Sequence, residues 1–393
     1  MSNNSETYTN SPVGSGKRKS KRTYFGTVLF IIFLALTISL SVALVMAYLT
    51  PYISPSTYGS LTIVGIFAPI LFVSVAVCLL IWLIAREWKV AAAVALVLVP
   101  GLFHISQFYN ISFLRSSDVM PIDPKSMTFL TYNVRGFYND DGKQRVDDFV
   151  KYVAKSDNFT ERIKPADVVC FQEFALDAPG IEKIDSLFNE AFDGKYYTAQ
   201  VNESENVVLK TYSRYEIINK GSIAGSRRGT SQWVDILRGA DTIRVFNNHF
   251  YTMSITEDDS DDIADGKILS DGDRMMSIID RVAHNSTVRL EHVDTLLQVI
   301  RSTPHRHVVV GDFNDTPMSY VYKSLTDHLT DSFSEQGAGF GYTYRPMWGW
   351  LRIDYILYSE GFEALNYKAD SDVTLSDHLP VVSRFKVLDN TAK

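Results

Sequence analysis

The sequence predicts a mixed α/β domain standing behind an N-terminal set of membrane-spanning helices. Two observations carry the prediction. Residues 24–49 and 60–85 contain no charged side chain, and each run exceeds the ~20 residues that a helix needs to cross hydrocarbon. From residue 127 on, short runs rich in β-branched and aromatic residues alternate with segments of helical period, and a chain of 393 residues leaves enough length there to close one α/β core.

The elements follow in order. Residues 1–23 hold the basic stretch KRKSKR and are otherwise rich in Ser, Asn, Thr and Gly, the composition of a disordered tail. After the two apolar runs comes a third, 90–109, in which Pro100, Gly101 and His104 imply a kink, and three crossings are expected over 24–115. A cleaved signal peptide is the competing reading of the first run. Its apolar stretch is longer than the ~7–15 residues of a signal core, and no small-residue cleavage site follows it. Basic residues cluster at 17–22, are absent between the first two runs, and return as Arg86 and Lys89 between the second and third. By that bias the tail is cytoplasmic, and a third crossing places everything after about residue 115 outside the cytoplasm, making a multi-pass membrane protein.

Segment 116–126, SSDVMPIDPKS, has the Pro and Ser content of a linker, and the domain proper is expected over 127–388. That domain is acidic, so it repels polyanions unless its site is locally positive or carries metal. Cys78 and Cys170 both lie in apolar runs and suggest no disulfide framework. Strands are expected at MTFLTYNV, ADVVCFQEF, ENVVLKTYS, DTIRVFNNHFY, RHVVVGDF, RIDYILYS and HLPVVSRFKV, with helices at about 143–155, 181–191, 275–302 and 317–328.

The strand ends share a chemistry. Asn133 closes the first, Glu173 follows the second, His249 ends another, Asp312 and Asn314 follow the triple valine 308–310, and Asp377 and His378 stand just before the last. Each has an ordinary reading as a turn former, a surface carboxylate or a core histidine. Six such endings in one domain point to a site for phosphate or metal chemistry.

In order, TYNVRGF, FQEF, NNHF, GDFND, RIDYIL and SDHLP resemble the motif series of the endonuclease/exonuclease/phosphatase superfamily, over about residues 125–388. GSIAGSRRG before NNHF and the preceding apolar region are similar to membrane-anchored bacterial members. The resemblance implies the deoxyribonuclease I-like four-layer α/β/β/α sandwich and hydrolysis of phosphate esters with a divalent metal, Mg2+ or Mn2+. It implies Glu173 as metal ligand, with Asn133 and Asp377 as further ligands or holders of its waters. Asp312 would orient or deprotonate the attacking water, and Asn314 would donate its amide to a non-bridging oxygen. His378, held as imidazolium by Asp354, and His249 would face the reacting phosphoryl group. Arg135, Arg227, Arg228 and Arg345 are candidates for further phosphate contacts, against their plainer reading as solvated side chains.

Inositol polyphosphate phosphatases of the superfamily carry a Trp-Cys-Asp-Arg-like motif where this chain has RIDYIL, which counts against that activity. The acidic segment 256–273 fits no EF-hand, because Ile263 falls where a ligating oxygen is required, and a mobile solvated loop that discourages long nucleic acids is expected. Trp348 and Trp350 stand close to Asp354 in sequence, as core, stacking or membrane-interface residues. The expected function is that of a membrane-anchored phosphoesterase acting on a phosphate-ester substrate, with nucleic acid not favoured and no protein partner identifiable. The alternatives are an extracytoplasmic nuclease, a phospholipase C or sphingomyelinase-like lipid hydrolase, and a catalytically silent binding module.

Overall fold

The computed structural model describes residues 23–110, 125–138, 142–155, 166–224 and 229–389. The basic tail, most of the expected linker, and Arg227 and Arg228 lie outside them.

Helix α1, Tyr24–Leu49, starts where the Thr23 side chain accepts from the Gly26 amide. With the turn that follows it, this is the one helix among the described residues long and apolar enough by itself to cross a membrane. The expected single span over 60–85 is broken. Residues Pro55–Ile66 and helix α2, Ala68–Ile84, meet at a 56° bend. Pro69, near the start of α2, lacks an N–H and its ring crowds the carbonyl of the preceding turn, so the helix cannot run through. The third run is shorter than expected: helix α3, Trp88–Leu98, gives way at Pro100 to a 3₁₀ turn ending at Phe103. Three full-length spanning helices are therefore not what the chain forms. Instead α1, α2 and α3 pack around Leu44, Val75, Trp82, Val94 and Leu98, and Trp82 Nε1 donates to Thr37 Oγ1 at 3.1 Å, tying α2 to α1.

The short helices before Phe67 belong with the domain. Ile66 shares a buried cluster with Met253, Val282, Met347 and Leu351, and Thr50 Oγ1 donates to the Met318 carbonyl. Tyr109 and Asn110 pair with Phe340 and Gly339 in a short ladder. Both ends of the helical region thus meet the domain.

The strands are β1 (Ser126–Asn133), β2 (Val168–Ala175), β3 (Tyr197–Asn202), β4 (Val207–Ser213), β5 (Glu216–Ala224), β6 (Thr230–Arg238), β7 (Asp241–His249), β8 (Arg306–Asp312), β9 (Asp354–Tyr358), β10 (Phe362–Ala369) and β11 (Val381–Val387). One six-stranded sheet has the order β10-β11-β1-β2-β4-β3; in the other a two-residue strand at Thr330–Asp331 precedes β9-β8-β7-β6-β5. The pairs β1/β2 and β7/β8 are parallel and all other neighbours in the two sheets antiparallel.

Alternation along the strands makes the layers. Met127 and Phe129 of β1 face Val308 and Val310 of β8 in a core between the sheets. Leu130 and Tyr132 face the other way, against Phe149 and Phe188 from helices α4 (Val146–Lys155) and α5 (Glu182–Ala191). Val309 packs on the opposite side with Val293, Leu296, Val321 and Leu325. Two mixed sheets are therefore packed face to face with helices on the outer surfaces.

The acidic segment is not a loop. Residues Glu257–Ala264 form helix α6, capped reciprocally by Thr256 and Asp259, and a 3₁₀ turn leads into the 31-residue helix α7, Gly272–Ser302. Asp259 is paired with Arg274 and Arg281, and Ile268 is buried among the residues that hold Ile66. Apolar anchors and arginine partners order what composition alone marks as solvated.

Candidate active site

The residues that end the strands come together at one edge of the two sheets. Strand β8 continues through Gly311 to Asp312, two residues beyond the last valine, because Gly311 can pair beside Asn248 of β7 at φ 134°. An added Cβ there would lie 1.9 Å from the Asn248 carbonyl oxygen, so only glycine lets β8 reach Asp312 in this register.

Glu173 is re-aimed by a bulge. The β2/β4 register shifts between Phe171 and Phe174, and Glu173 takes a φ of 51°, a conformation rare for a residue with a side chain. Its amide is held by Glu203 Oε2 at 3.0 Å, while its own carboxylate stays partly exposed in the cleft. Below it, Gln172 Nε2 donates to Asn247 Oδ1 at 2.7 Å and to Thr131 Oγ1 at 3.0 Å, so a buried polar network fixes the two sheets to one another beneath the cleft.

Asn133 bridges two carboxylates. Its amide nitrogen donates to Glu173 Oε1 at 2.9 Å and to Asp312 Oδ2 at 3.1 Å, while its oxygen accepts from the Arg135 amide at 3.0 Å. Asn314, in αL conformation at φ 50°, donates its backbone amide to Asp312 Oδ1 at 2.8 Å and its side-chain nitrogen to Asp312 Oδ2 and the Phe250 carbonyl. Asp312 is buried and held from two directions. Burial raises its pKa, opposed by His378 and His249.

Two histidines face Asp312. His378 Nδ1 lies 3.0 Å from Asp354 Oδ2, and its Nε2 lies 3.7 Å from Asp312 Oδ2. His249 donates through Nδ1 to Glu203 Oε1 at 2.6 Å, with Nε2 at 3.7 Å from the same Asp312 oxygen. Burial alone would lower both pKa values, but Asp354 and Asp312 raise His378, and Glu203, Glu173 and Asp312 raise His249, each to about 10. Both rings are therefore imidazolium at neutral pH. Their outward nitrogens stand beyond hydrogen-bond reach of Asp312 and can serve an oxyanion placed among them.

Asp312, Asp354 and His378 have atoms within 4.8 Å of one another, the density of a metal cluster. Within the trio only the His378 Nδ1–Asp354 pair lies within hydrogen-bond distance, and a ring protonated on both nitrogens offers no lone pair to an ion. The other donors suited to a cation are the oxygens of Glu173 and Asp377, which line the same cleft. Asp377 accepts from Ser376 Oγ at 3.1 Å and lies 3.6 Å from Arg135 Nε.

The cleft has a volume of about 420 Å³ and is lined by Glu173, Glu203, His249, Asp312, Asn314, Tyr344, Met347, Asp377 and His378, among others. Of the expected substrate-binding arginines, Arg135 reaches its edge through Asp377. Arg345 is directed elsewhere: Nη2 donates to the Ser371 carbonyl at 3.0 Å and the Val373 carbonyl at 2.5 Å, because its backbone is already tied to the Asp377 carbonyl. It positions the loop that carries Asp377 and His378. Arg352, two residues before Asp354, pairs with Asp331 at 2.6 Å and leaves Asp354 to His378. Sequence reasoning missed Glu203, which sits in the turn NESEN beside an equally acidic Glu205 and has no local mark of function.

Among solved structures, the chain is similar to an endonuclease/exonuclease/phosphatase from Bacteroides vulgatus, at 16% identity over 67% of this chain and 99% of that one with a TM-score of 0.47. It is similar to a mannosyl-6-phosphatase from Bacteroides thetaiotaomicron at 17% identity over 66% and 99%, with a TM-score of 0.46. The human Nocturnin catalytic domain is 15% identical over 70% and 97%, with a TM-score of 0.47. No curated protein matches. Residues 29–108 match a family described as a domain of unknown function. The model of the endonuclease/exonuclease/phosphatase family matches residues 130–378, more than half of the chain, and takes in every site residue from Asn133 to His378. The protein is thus a member of the endonuclease/exonuclease/phosphatase family and a phosphoric ester hydrolase.

Proposed function

We propose that the chain hydrolyses a phosphoester by in-line attack of water, with Mg2+ or Mn2+ held by Glu173 and Asp377 and supported by Asn133, while its N-terminal helices keep it at a membrane. The observation that supports this most directly is the convergence of His249, His378 and Asp312. Two imidazolium nitrogens and a buried carboxylate of raised pKa surround one position, the combination that water activation at an anionic phosphoryl group requires.

The electrostatics of the cleft fit a cation. Glu173, Glu203, Asp312 and Asp377 line it, and among its described lining residues no lysine or arginine appears. An anionic ester entering such a cleft needs more positive charge than two imidazolium rings supply. The donors are all oxygens, which suits hard divalent ions. Bound there, the ion would neutralise phosphate oxygens and polarise the scissile ester.

The residues then divide the work. Asp312 accepts a hydrogen bond from the attacking water and takes its proton. His378, oriented by Asp354, and His249, oriented by Glu203, donate to the phosphoryl oxygens as negative charge grows on them. Asn314 keeps Asp312 aligned through its backbone amide, and its side chain reaches a phosphate oxygen by giving up one of its present acceptors. The acidic groups among the described lining residues disfavour a long nucleic acid, whose affinity rests on many phosphate contacts.

Attachment by the helices is supported by their layout. The basic stretch 17–22 precedes α1, Arg86 and Lys89 lie at the α2–α3 turn, and both opposite ends, at Thr50 and Tyr109, contact the domain. This arrangement agrees with a catalytic domain on the extracytoplasmic side. External protease should reach the domain in spheroplasts, and protection would reverse the orientation.

The test of the chemistry is hydrolysis of bis-p-nitrophenyl phosphate by the full chain. EDTA should abolish it and Mg2+ or Mn2+ restore it, and Glu173→Gln and Asp312→Asn should each lower turnover by on the order of 10² or more. Full activity in chelator, or in Asp312→Asn, would reject the mechanism.

A further inference from the structure

A second cavity, of about 280 Å³, lies where the helical region meets the domain. Tyr48 of α1, Phe72 and Val73 of α2, Met318, Phe340 and Trp350 are among its lining residues. Among the described lining residues none is Asp, Glu, Lys or Arg, and His104 and the Tyr48 hydroxyl are polar groups on an otherwise apolar wall. A cavity with so little to hydrogen-bond does not favour water and takes apolar guests. Gly101 helps to keep it compact, since an added Cβ would lie 2.4 Å from the Phe72 ring.

Two relationships say what that guest is. The mouth is rimmed by Val73, Phe340 and Trp350, which are 50%, 69% and 39% exposed, and the same outer surface of α2 continues through exposed Val77, Leu80 and Ile84. An apolar chain leaving a bilayer along α2 meets the mouth without crossing water. The cavity also shares a wall with the catalytic cleft: in the short segment Met347–Leu351, Met347 and Leu351 line the cleft while Trp350 lines the cavity. Met318, on the cavity side, is four residues beyond Asn314 of the cleft.

From this shared wall we infer that the substrate is an amphiphile, a lipid phosphoester whose head enters the catalytic cleft while its alkyl chain lies in the apolar cavity. The inference rests on the phosphoester reading of the cleft. It assigns a separate site, built mostly from the N-terminal helical region and closed by Met318, Phe340 and Trp350 of the domain, and it gives that region a part in substrate selection beyond tethering.

The experiment uses the full chain in phospholipid nanodiscs with alkyl 4-nitrophenyl phosphates from methyl to decyl, so that partitioning into the bilayer is common to all variants. In the wild type, kcat/KM should climb with chain length by up to about fourfold per methylene until the cavity is full. Val73→Trp, which plugs the mouth, and Phe340→Asp, which places a charge there, should each bring the decyl-to-methyl ratio down by at least tenfold. Phe340 is exposed, so the second variant serves if the first does not fold. An identical chain-length slope in wild type and Phe340→Asp overturns the proposal.

Binding is read separately. A terminally brominated decyl phosphate should quench tryptophan fluorescence more in the wild type than in Trp350→Phe, and Phe340→Asp should lose that difference. Equal quenching in all three overturns the alkyl site. If no ester is turned over while the Trp350-dependent quenching persists, the phosphoester reading fails and the alkyl site stands.

Discussion

Glu203 Oε1 lies 2.6 Å from His249 Nδ1, so the ring at the end of β7 is oriented by a residue that no strand-end motif marks. The same carboxylate holds the Glu173 amide through its other oxygen, coupling the strained turn at Glu173 to the charge on His249.

Glu203→Gln should therefore act on both sides of the cleft at once. Turnover should fall by roughly 10- to 100-fold, the scale on which groups that orient ligands and bases matter. The expected accompaniment is weaker activation by Mg2+, read as a higher concentration for half-maximal rate. Normal kinetics in Glu203→Gln would make the pair merely structural.

His378 depends on Asp354 in a similar way. Asp354→Asn leaves a neutral partner 3.0 Å from Nδ1 and removes the main reason the ring is charged. A loss of about 10²-fold or more in kcat is expected, comparable with removing a donor to the developing oxyanion, with little change in KM. Steady-state kinetics on a small diester decides it.

Gly311→Ala tests the close approach of β8 to β7. The added methyl collides with the Asn248 carbonyl at 1.9 Å, and the φ of 134° is itself costly for alanine. Destabilisation of at least about 3 kcal/mol is expected, measured as a fall in the denaturation midpoint. Because the two strands are parallel here, a shift large enough to relieve the clash also displaces Asp312, so residual folded protein should be inactive.

His292 sets an acid limit on stability. Ser231 donates to Asn248 Oδ1 at 2.6 Å, so its oxygen accepts from His292 Nε2–H at 2.7 Å, while His292 Nδ1 is buried with no hydrogen-bond partner among the described residues. Burial lowers the His292 pKa to about 4. The unfolded chain, with an ordinary histidine, binds this proton at higher pH than the folded chain does. Stability from this group is thus intact above about pH 6.5 and lost as pH falls toward 4, by about 2 kcal/mol between pH 7 and pH 5. His292→Gln should flatten the fall in melting temperature over that interval; an unchanged slope would assign acid sensitivity to other groups.

The strand ends were legible in sequence because their chemistry is local. A run such as VVVGDFND shows a buried strand giving way to polar groups, and the alternation of Phe129, Leu130 and Tyr132 already states that β1 has two covered faces. Four strands, β3, β5, β6 and β10, carry no such mark in the sequence: Asn219, Lys220 and Gly221 interrupt β5, and Gln232 and Asp235 interrupt β6. Periodicity says which residues face inward; it does not say which strand lies beside which.

By itself, then, the sequence determined the residue types of the site, the mixed α/β class and the apolar character of the N-terminal region. Tertiary structure alone decided that Glu203 meets His249, that Arg345 braces a loop, that the acidic segment winds into a helix, and that Pro55–Ile66 leaves the second apolar run to pack on the domain. The physical reason is common to all four. Composition records the cost of taking each side chain out of water, but the partner that offsets that cost, whether Asp259's arginines or the Met318 carbonyl that accepts from Thr50, comes from distant sequence and exists only once the chain has closed on itself.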